Sequence, residues 1–345
     1  MKSYANTKIY MATRWIPSVA KKWNTGEEGL TVPEIGVQTR NIIDDACPKC
    51  GFDELARAGF SCADFSLNTY LVSKELYQGR KDGFFDRPLD ELRAFFSPHR
   101  EAARAAGIRI HQMHMPYPCY IPWGSVSLNE YLWKELSPKC LELCAFFECR
   151  YLVVHGFKLA DRLGSEAAEW ELTEQWLREL APLARELGIM LCIENLYIDV
   201  DGRLVEGPCC DAKKAAERID RLNEDFHAEV FGFCFDAGHA NLVGLDFFSF
   251  LTTLGKRIKV LHLHDNDGIA DLHQLPFTFS QGNDNLPSAD WEGFLRGLRA
   301  IGFDGVLNFE TGPVLAAFPD VMRSRVLRFI AQIGEYFAGE LEGEK

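Results

Sequence analysis

Short β-rich runs alternate with helical stretches along the whole chain, and this beat restricts the available folds more than any other feature. The runs are KIYMAT (8–13), FSCADFSL (60–67), IRIHQMH (108–114), CRYLVVH (149–155), IMLCIE (189–194), VFGFCFD (230–236), IKVLHLH (258–264) and GVLNFE (305–310). Helical patterns at DELARAG, 90–106, 166–187, 212–223, 247–254, 290–300 and 320–337 fall between and after them. From the fourth onward the runs are almost continuously apolar, as parallel strands are when helices cover them. The helices usually stop at a glycine just before the next strand (ARAGF, RAAGI, RELGI, RAIGF), a residue that takes the left-handed turn ending a helix. Eight units in 345 residues leave about 43 each, near the size of a βα repeat with generous loops. An open, doubly wound sheet is the competing architecture. No GxGxxG turn follows any run, however, and polar residues close nearly every strand instead of gathering at one switch point. The pattern predicts α/β class and one domain over 1–345, a single (β/α)8 TIM barrel. Its first loop (about 14–50) is elaborated and its seventh (about 265–289) is long.

Composition narrows the function. Lys plus Arg number 37 against 50 Asp plus Glu, a formal charge of −13, while 47% hydrophobic and 25% charged residues are ordinary globular usage. Disorder and collagen-like repeats are excluded, and nucleic acid is disfavoured as a partner. No apolar run of about 18 residues and no signal-peptide pattern occurs, so no membrane association and a cytoplasmic location are expected. The cysteine count, 11, is odd, and free thiols are expected. Cys47 and Cys50 in ACPKCG have metal-knuckle or redox spacing, but without a second CxxC they are read as loop thiols. The vicinal pair Cys209 and Cys210 is read the same way.

Active sites of such barrels lie at the C-terminal strand ends. His111 and His114 end the third run, His155 the fourth, and His262 and His264 the seventh, while His239 and His273 follow closely on the sixth and seventh. Glu194, Asp236 and Glu310 are the last residues of the fifth, sixth and eighth. Steps of 42 from Glu194 to Asp236, 26 on to His262 and 48 on to Glu310 approximate one repeat each, so sequence distance collapses into adjacency. Three carboxylates at one rim repel one another unless a cation sits among them. A mainly oxygen donor set with one imidazole suits manganese first, with magnesium, cobalt or zinc as other candidates. His262 and His264 lie two apart and face the same way, which leaves the choice between them open.

These segments, in order, resemble the xylose-isomerase-like superfamily of metal-dependent barrels. It contains sugar isomerases and 3-epimerases (sugar phosphate isomerase/epimerase proteins), inosose dehydratase, hydroxypyruvate isomerase and the barrel apurinic endonuclease. HMP (114–116) is similar to the family's His-x-Pro, VVHG (153–156) to its His-Gly and CIEN (192–195) to its Ile-Glu-Asn. FDAGHAN (235–241) resembles its Asp-x-x-His, HLHDNDG (262–268) its His-x-x-Asp, DLH (271–273) its Asp-x-His and LNFE (307–310) its terminal Glu. The resemblance spans about residues 52–335. It implies a metal held by Glu194, Asp236, His262 and Glu310, with His262 favoured because it stands three before Asp265. It also implies that His239 binds a substrate oxygen.

What the resemblance implies for activity is isomerisation or epimerisation of a sugar or polyol-derived ketone. Glu194 and Glu310 would remove and return the proton beside a carbonyl, through a metal-stabilised enediolate. Elimination by a dehydratase or lyase on a keto-sugar, inosose or keto-glycoside is the sister chemistry, with His155, His114 or His264 as acid or base. A zinc-dependent abasic-site endonuclease is a further alternative, since its nine ligands have counterparts in His114, His155, Glu194, Asp236, His239, His262, Asp271, His273 and Glu310. No Lys/Arg cluster accompanies the rim loops, which counts against DNA. Asp265, Asp271 and His273 are expected to support the site through hydrogen bonds. A sugar-sensing or partner-binding barrel is the non-enzymatic reading. Trp15, Tyr117, Tyr120, Trp123 and Tyr197 are candidates to stack on a sugar, Lys158 and Arg14 to meet a phosphate if there is one; homo-oligomerisation is also open.

Overall fold

The computed structural model describes residues 33–71, 73–81, 83–159, 164–279 and 289–343, and residues 32–345 make up one compact unit. Eight parallel strands form the barrel: β1 (Glu34–Gln38), β2 (Cys62–Ser66), β3 (Arg109–His114), β4 (Tyr151–His155), β5 (Met190–Glu194), β6 (Phe231–Asp236), β7 (Ile258–His262) and β8 (Val306–Phe309). Each pairs with its neighbours in chain order, and β1 also pairs with β8, Glu34 opposite Val306 and Val37 opposite Phe309. The remaining seam, β7 to β8, is thin. It is carried by Leu263 N–H to Asn308 O at 2.9 Å and Glu310 N–H to Leu263 O at 3.1 Å.

Seven strands lie where the apolar runs predicted them; the first does not. The run at 8–13 and Trp15 fall outside the described residues, and barrel strand β1 is the segment EIGVQ, inside what the sequence suggested was the first loop. Gly36 sits at its centre because the barrel is tight there. A Cβ would lie 2.9 Å from Asn308 Oδ1 and from Val306 Cγ1.

Helices α1 (Pro48–Ala58), α2 (Leu89–Ala106), α3 (Ser137–Phe146), α4 (Glu166–Leu187), α5 (Ala212–Phe226), α6 (Phe247–Leu254), α7 (Trp291–Ile301) and α8 (Arg323–Glu342) cover the strands. Gly59, Gly107, Gly188 and Gly302 end α1, α2, α4 and α7 in the left-handed conformation the sequence implied. Asp211, Asp246 and Asp290 cap α5, α6 and α7 by accepting backbone N–H bonds. Phe52, Phe65, Phe96, Trp176, Phe233, Phe294 and Phe337 fill the core. No helix among the described residues is long and apolar enough to cross a membrane.

Two expectations need correction. Cys47 and Cys50 are joined in a disulfide, Cys47 capping α1, whereas the other nine cysteines are free and buried. His111 is not at the rim. It is the extra residue where the β2–β3 register shifts, and it lines a hollow with Glu34, Arg109 and Tyr151 at the N-terminal strand ends, where Arg109 donates to its Nδ1 at 2.7 Å. Burial, with Arg109 beside it, pushes its pKa down to about 3.

Candidate active site

Glu194, Asp236 and His262 end β5, β6 and β7, and Glu310 follows β8, so four successive strands deliver one donor each to the same end of the barrel. The first three are buried, while the Glu310 side chain is 14% exposed and lines the cavity above. His262 Nδ1 lies 3.2 Å from Glu310 Oε2, 3.4 Å from Glu194 Oε1 and 3.7 Å from Asp236 Oδ2. That nitrogen is buried and has no hydrogen-bond partner among the described residues. Donors bound at about 2.0–2.3 Å to one divalent ion stand roughly 3–3.7 Å apart. Each of the three carboxylates thus stands at ligand spacing from His262 Nδ1, and two donor groups that could hold a divalent cation, Asp236–His262–Glu310 and His114–Glu194–His262, share that imidazole.

The other face of His262 is held from below. Its Nε2–H donates to Asp64 Oδ2 at 3.1 Å, and Asp64, fully buried on β2, also accepts from Gln112 Nε2 at 3.3 Å. A carboxylate at that position fixes the tautomer that turns the Nδ1 lone pair toward the carboxylates. His114 offers a further donor, its Nε2 3.5 Å from Glu194 Oε2 and its Nδ1 2.7 Å from the Met115 carbonyl. His155 Nε2 lies 3.1 Å from Glu194 Oε2. Gln38 Nε2 donates to Glu310 Oε1 at 2.6 Å.

A second group adjoins the first. Asp236 caps the short helix Ala237–Leu242 by accepting from His239 N–H at 2.6 Å, which brings His239 Nδ1 to 3.1 Å from Glu194 Oε1. His239 Nε2 is 3.5 Å from Asp271 Oδ2, and Asp271 also meets His273 Nε2 at 3.2 Å. His264 stands on Asp236 at 3.1 Å and stacks on His273, centroids 4.0 Å apart. It makes no ion pair with Glu194 or Glu310 among the described residues, so the central position falls to His262. Gly238 makes room for His264, since a Cβ there would lie 1.9 Å from the ring. Asp265 is buried under the seventh loop, where its backbone pairs with Gln274 and its carboxylate accepts from Asn266 N–H at 2.9 Å.

Electrostatics agree with a cation site. Burial alone would lower the pKa of His262, but Cys234 and the carboxylates of Glu310, Glu194 and Asp64 drive it well above the ordinary value. Burial likewise opposes the shift of Glu194, which His262, His155 and His114 hold well below the carboxylate range. In His155 burial dominates and pushes the pKa down to about 4. Groups His114–Glu194–His262, Asp236–His262–Glu310, Asp236–His239–His264 and His264–Asp271–His273 each bring their donor atoms within 4.8 Å of one another.

Tyr117, Tyr120, Trp123, Tyr197 and Lys158 line the cavity over this floor. Tyr117 stacks on His155 at 4.7 Å, and Trp123, 61% exposed at the mouth, stacks on Tyr77 and donates from Nε1 to Tyr77 O at 3.1 Å. Gln38, Arg40 and Asp64 were not singled out from sequence. Gln38 and Arg40 belong to the misplaced first strand and its loop. The signal for Asp64 was a lone charge inside the apolar run FSCADFSL.

A (β/α)8 barrel with histidines and carboxylates ringed at its C-terminal end is the class that fold and site define. The chain belongs to the Xylose isomerase-like TIM barrel family, whose profile it matches over residues 52–326. Among curated proteins it is 32% identical over 232 residues to Uncharacterized protein y4fM of Sinorhizobium fredii, covering 61% of this chain and 69% of that one. It is 31% identical over 205 residues to Uncharacterized protein MJ1311 of Methanocaldococcus jannaschii, covering 57% and 63%. Similar solved structures include D-psicose 3-epimerase with D-tagatose from Clostridium cellulolyticum H10, with TM-score 0.60, 14% identity and 88% and 99% of the two chains covered. Others are 3-keto-D-glucoside 4-epimerase from E. coli (0.60, 13%, 88% and 99%) and D-allulose 3-epimerase from Methylomonas sp. with D-allulose (0.58, 14%, 90% and 95%). At these identities the likeness is one of fold.

Proposed function

We propose that this protein is a metal-dependent sugar isomerase or epimerase. Glu194, Asp236, His262 and Glu310 hold the divalent ion, manganese in first place, and Glu194 and Glu310 move the proton. The observation that carries this reading is the buried, unpartnered His262 Nδ1 facing three carboxylates at the floor of an aromatic-lined cavity. An ion bound there supplies Lewis acidity, which stabilises negative charge on substrate oxygens beside the carbon that loses its proton. Glu194 and Glu310 both line the cavity, Glu310 being the more exposed, and Gln38 fixes the orientation of one Glu310 oxygen. Glu194 is held by His155 and His239, so its position does not depend on substrate. Tyr117 and Tyr197 wall the reacting centre and exclude water. The solved neighbours named as D-psicose 3-epimerase, D-allulose 3-epimerase and 3-keto-D-glucoside 4-epimerase support a carbohydrate substrate.

The test is solvent deuterium exchange into ketoses, inososes and keto-glycosides by metal-loaded protein in D2O. Glu310→Gln is expected to lower exchange by at least ~10²-fold, the usual worth of a positioned acid–base group, with the circular dichroism spectrum unchanged. Full exchange by that variant sinks the assignment.

A further inference from the structure

Lys158 is a cation lining the cavity, and no ion pair is formed by it among the described residues. It lies in the loop after β4, and the backbone on both sides of it is pinned to buried side chains of α4. Phe157 N–H donates to Thr173 Oγ1 and Leu159 N–H to Glu169 Oε1, each at 2.9 Å. Phe157 is itself buried, 5.0 Å from Trp176 between ring centroids, so the loop has little freedom to swing away. The half-buried Lys158 ammonium stands 5.1 Å from the centre of the Tyr197 ring.

The described carboxylates that act on it electrostatically, Glu169, Glu194 and Asp271, are already engaged. Glu169 accepts from Leu159 N–H and Ser165 Oγ–H, Glu194 is held by His155 and His239, and Asp271 by His239 and His273. They act on Lys158 only through the field, and among the described residues its ammonium contacts the Tyr197 ring and no carboxylate. A partly desolvated ammonium that touches no carboxylate among the described residues is costly, and a ligand anion would offset that cost. Burial accordingly holds its pKa below the usual lysine value.

We propose that Lys158 recognises an anionic group, a carboxylate or a phosphate, carried by the substrate, so that this enzyme acts on acidic sugars in preference to neutral ketoses. This rests on the isomerase or epimerase reading and adds to it the charge of the substrate. The aromatic ring of Tyr197 behind the ammonium keeps it pointed into the cavity and strengthens the pull on an incoming anion by excluding water.

The experiment uses full-length, metal-loaded protein and three matched probes: a ketohexose, the corresponding keto-hexuronate and the ketohexose 6-phosphate. Calorimetric Kd values and deuterium exchange are measured for wild type, Lys158→Met and Lys158→Arg. A charged probe is expected to bind wild type more tightly than the neutral ketose by roughly 10–100-fold, the range of a charge-assisted hydrogen bond. Lys158→Met should collapse that preference, Lys158→Arg should restore part of it, and the tighter of the two charged probes identifies carboxylate or phosphate. Absence of any charged-over-neutral preference in wild type, or an equal loss for all three probes in Lys158→Met, overturns the proposal. If neutral ketose still exchanges protons in that case, the isomerase reading stands alone. Lys158-dependent binding of a charged probe without exchange at any of the three supports the anion site and counts against the isomerase reading.

Discussion

His262 is constrained on both ring nitrogens, one facing Glu194, Asp236 and Glu310 and the other bonded to Asp64. The carboxylate of Asp64 would thus act on the proposed cation site through the imidazole. Asp64→Asn keeps the volume and removes the charge that fixes the tautomer. Metal affinity is expected to fall by about 10–100-fold, the usual effect of such a partner. Competition against a chelating dye measures it, and a shifted absorption spectrum of the cobalt-loaded protein would report a rotated ligand. Unchanged affinity and spectrum would show that Asp64 only fills space. The four central donors were legible in sequence because each closes an apolar run. Asp64 was not, because it lies in mid-run, and whether such a residue meets His262 depends on how β2 and β7 face each other across the barrel interior. Gln38 was hidden for another reason, its strand having been placed elsewhere.

That strand shows what sets an element's identity. EIGVQ has a glycine at its centre and polar ends, which gives it weaker intrinsic β preference than KIYMAT. It is a strand because β2 and β8 offer two edges to pair with and because only a side chain of no size fits between Asn308 and Val306. The strands from β4 onward needed no such context, since they are largely buried and mostly apolar up to their polar C-terminal ends, and the helix stops were readable from glycine alone. Gly36→Ala is expected to destabilise the fold by about 1–3 kcal/mol through overpacking. Urea denaturation measures this directly. A loss below ~0.5 kcal/mol would mean that Asn308 and Val306 can move aside, and that the glycine is not what lets β1 close the sheet. The same misplacement explains why the disulfide between Cys47 and Cys50 was read as two thiols. Their loop runs from β1 over residues 39–47 into α1, where Cys47 holds the N-cap position and Cys50 lies in the first turn.

At the scale of the molecule, the four proposed ligands come from β5, β6, β7 and the end of β8, so a bound ion would tie together half of the barrel. It would do so where the sheet is weakest, because His262 and Glu310 flank the seam between β7 and β8 that Leu263 holds with two backbone hydrogen bonds. An unfolded chain scatters these donors over more than a hundred residues and does not compete for the ion at comparable affinity. Binding is therefore folding energy: at free metal 100 times the Kd it adds about 2.7 kcal/mol. Spread over the unfolding entropy of a domain of this length, that is roughly 4 °C in Tm. Removal of the ion by a chelator should lower Tm by that amount, and readdition of manganese should restore it. Hydrogen exchange should also quicken at 258–263 and 306–310 more than at β2 and β3. A Tm that does not respond to chelation, in protein shown to have carried one ion per chain, would place that ion somewhere other than across the β7–β8 seam.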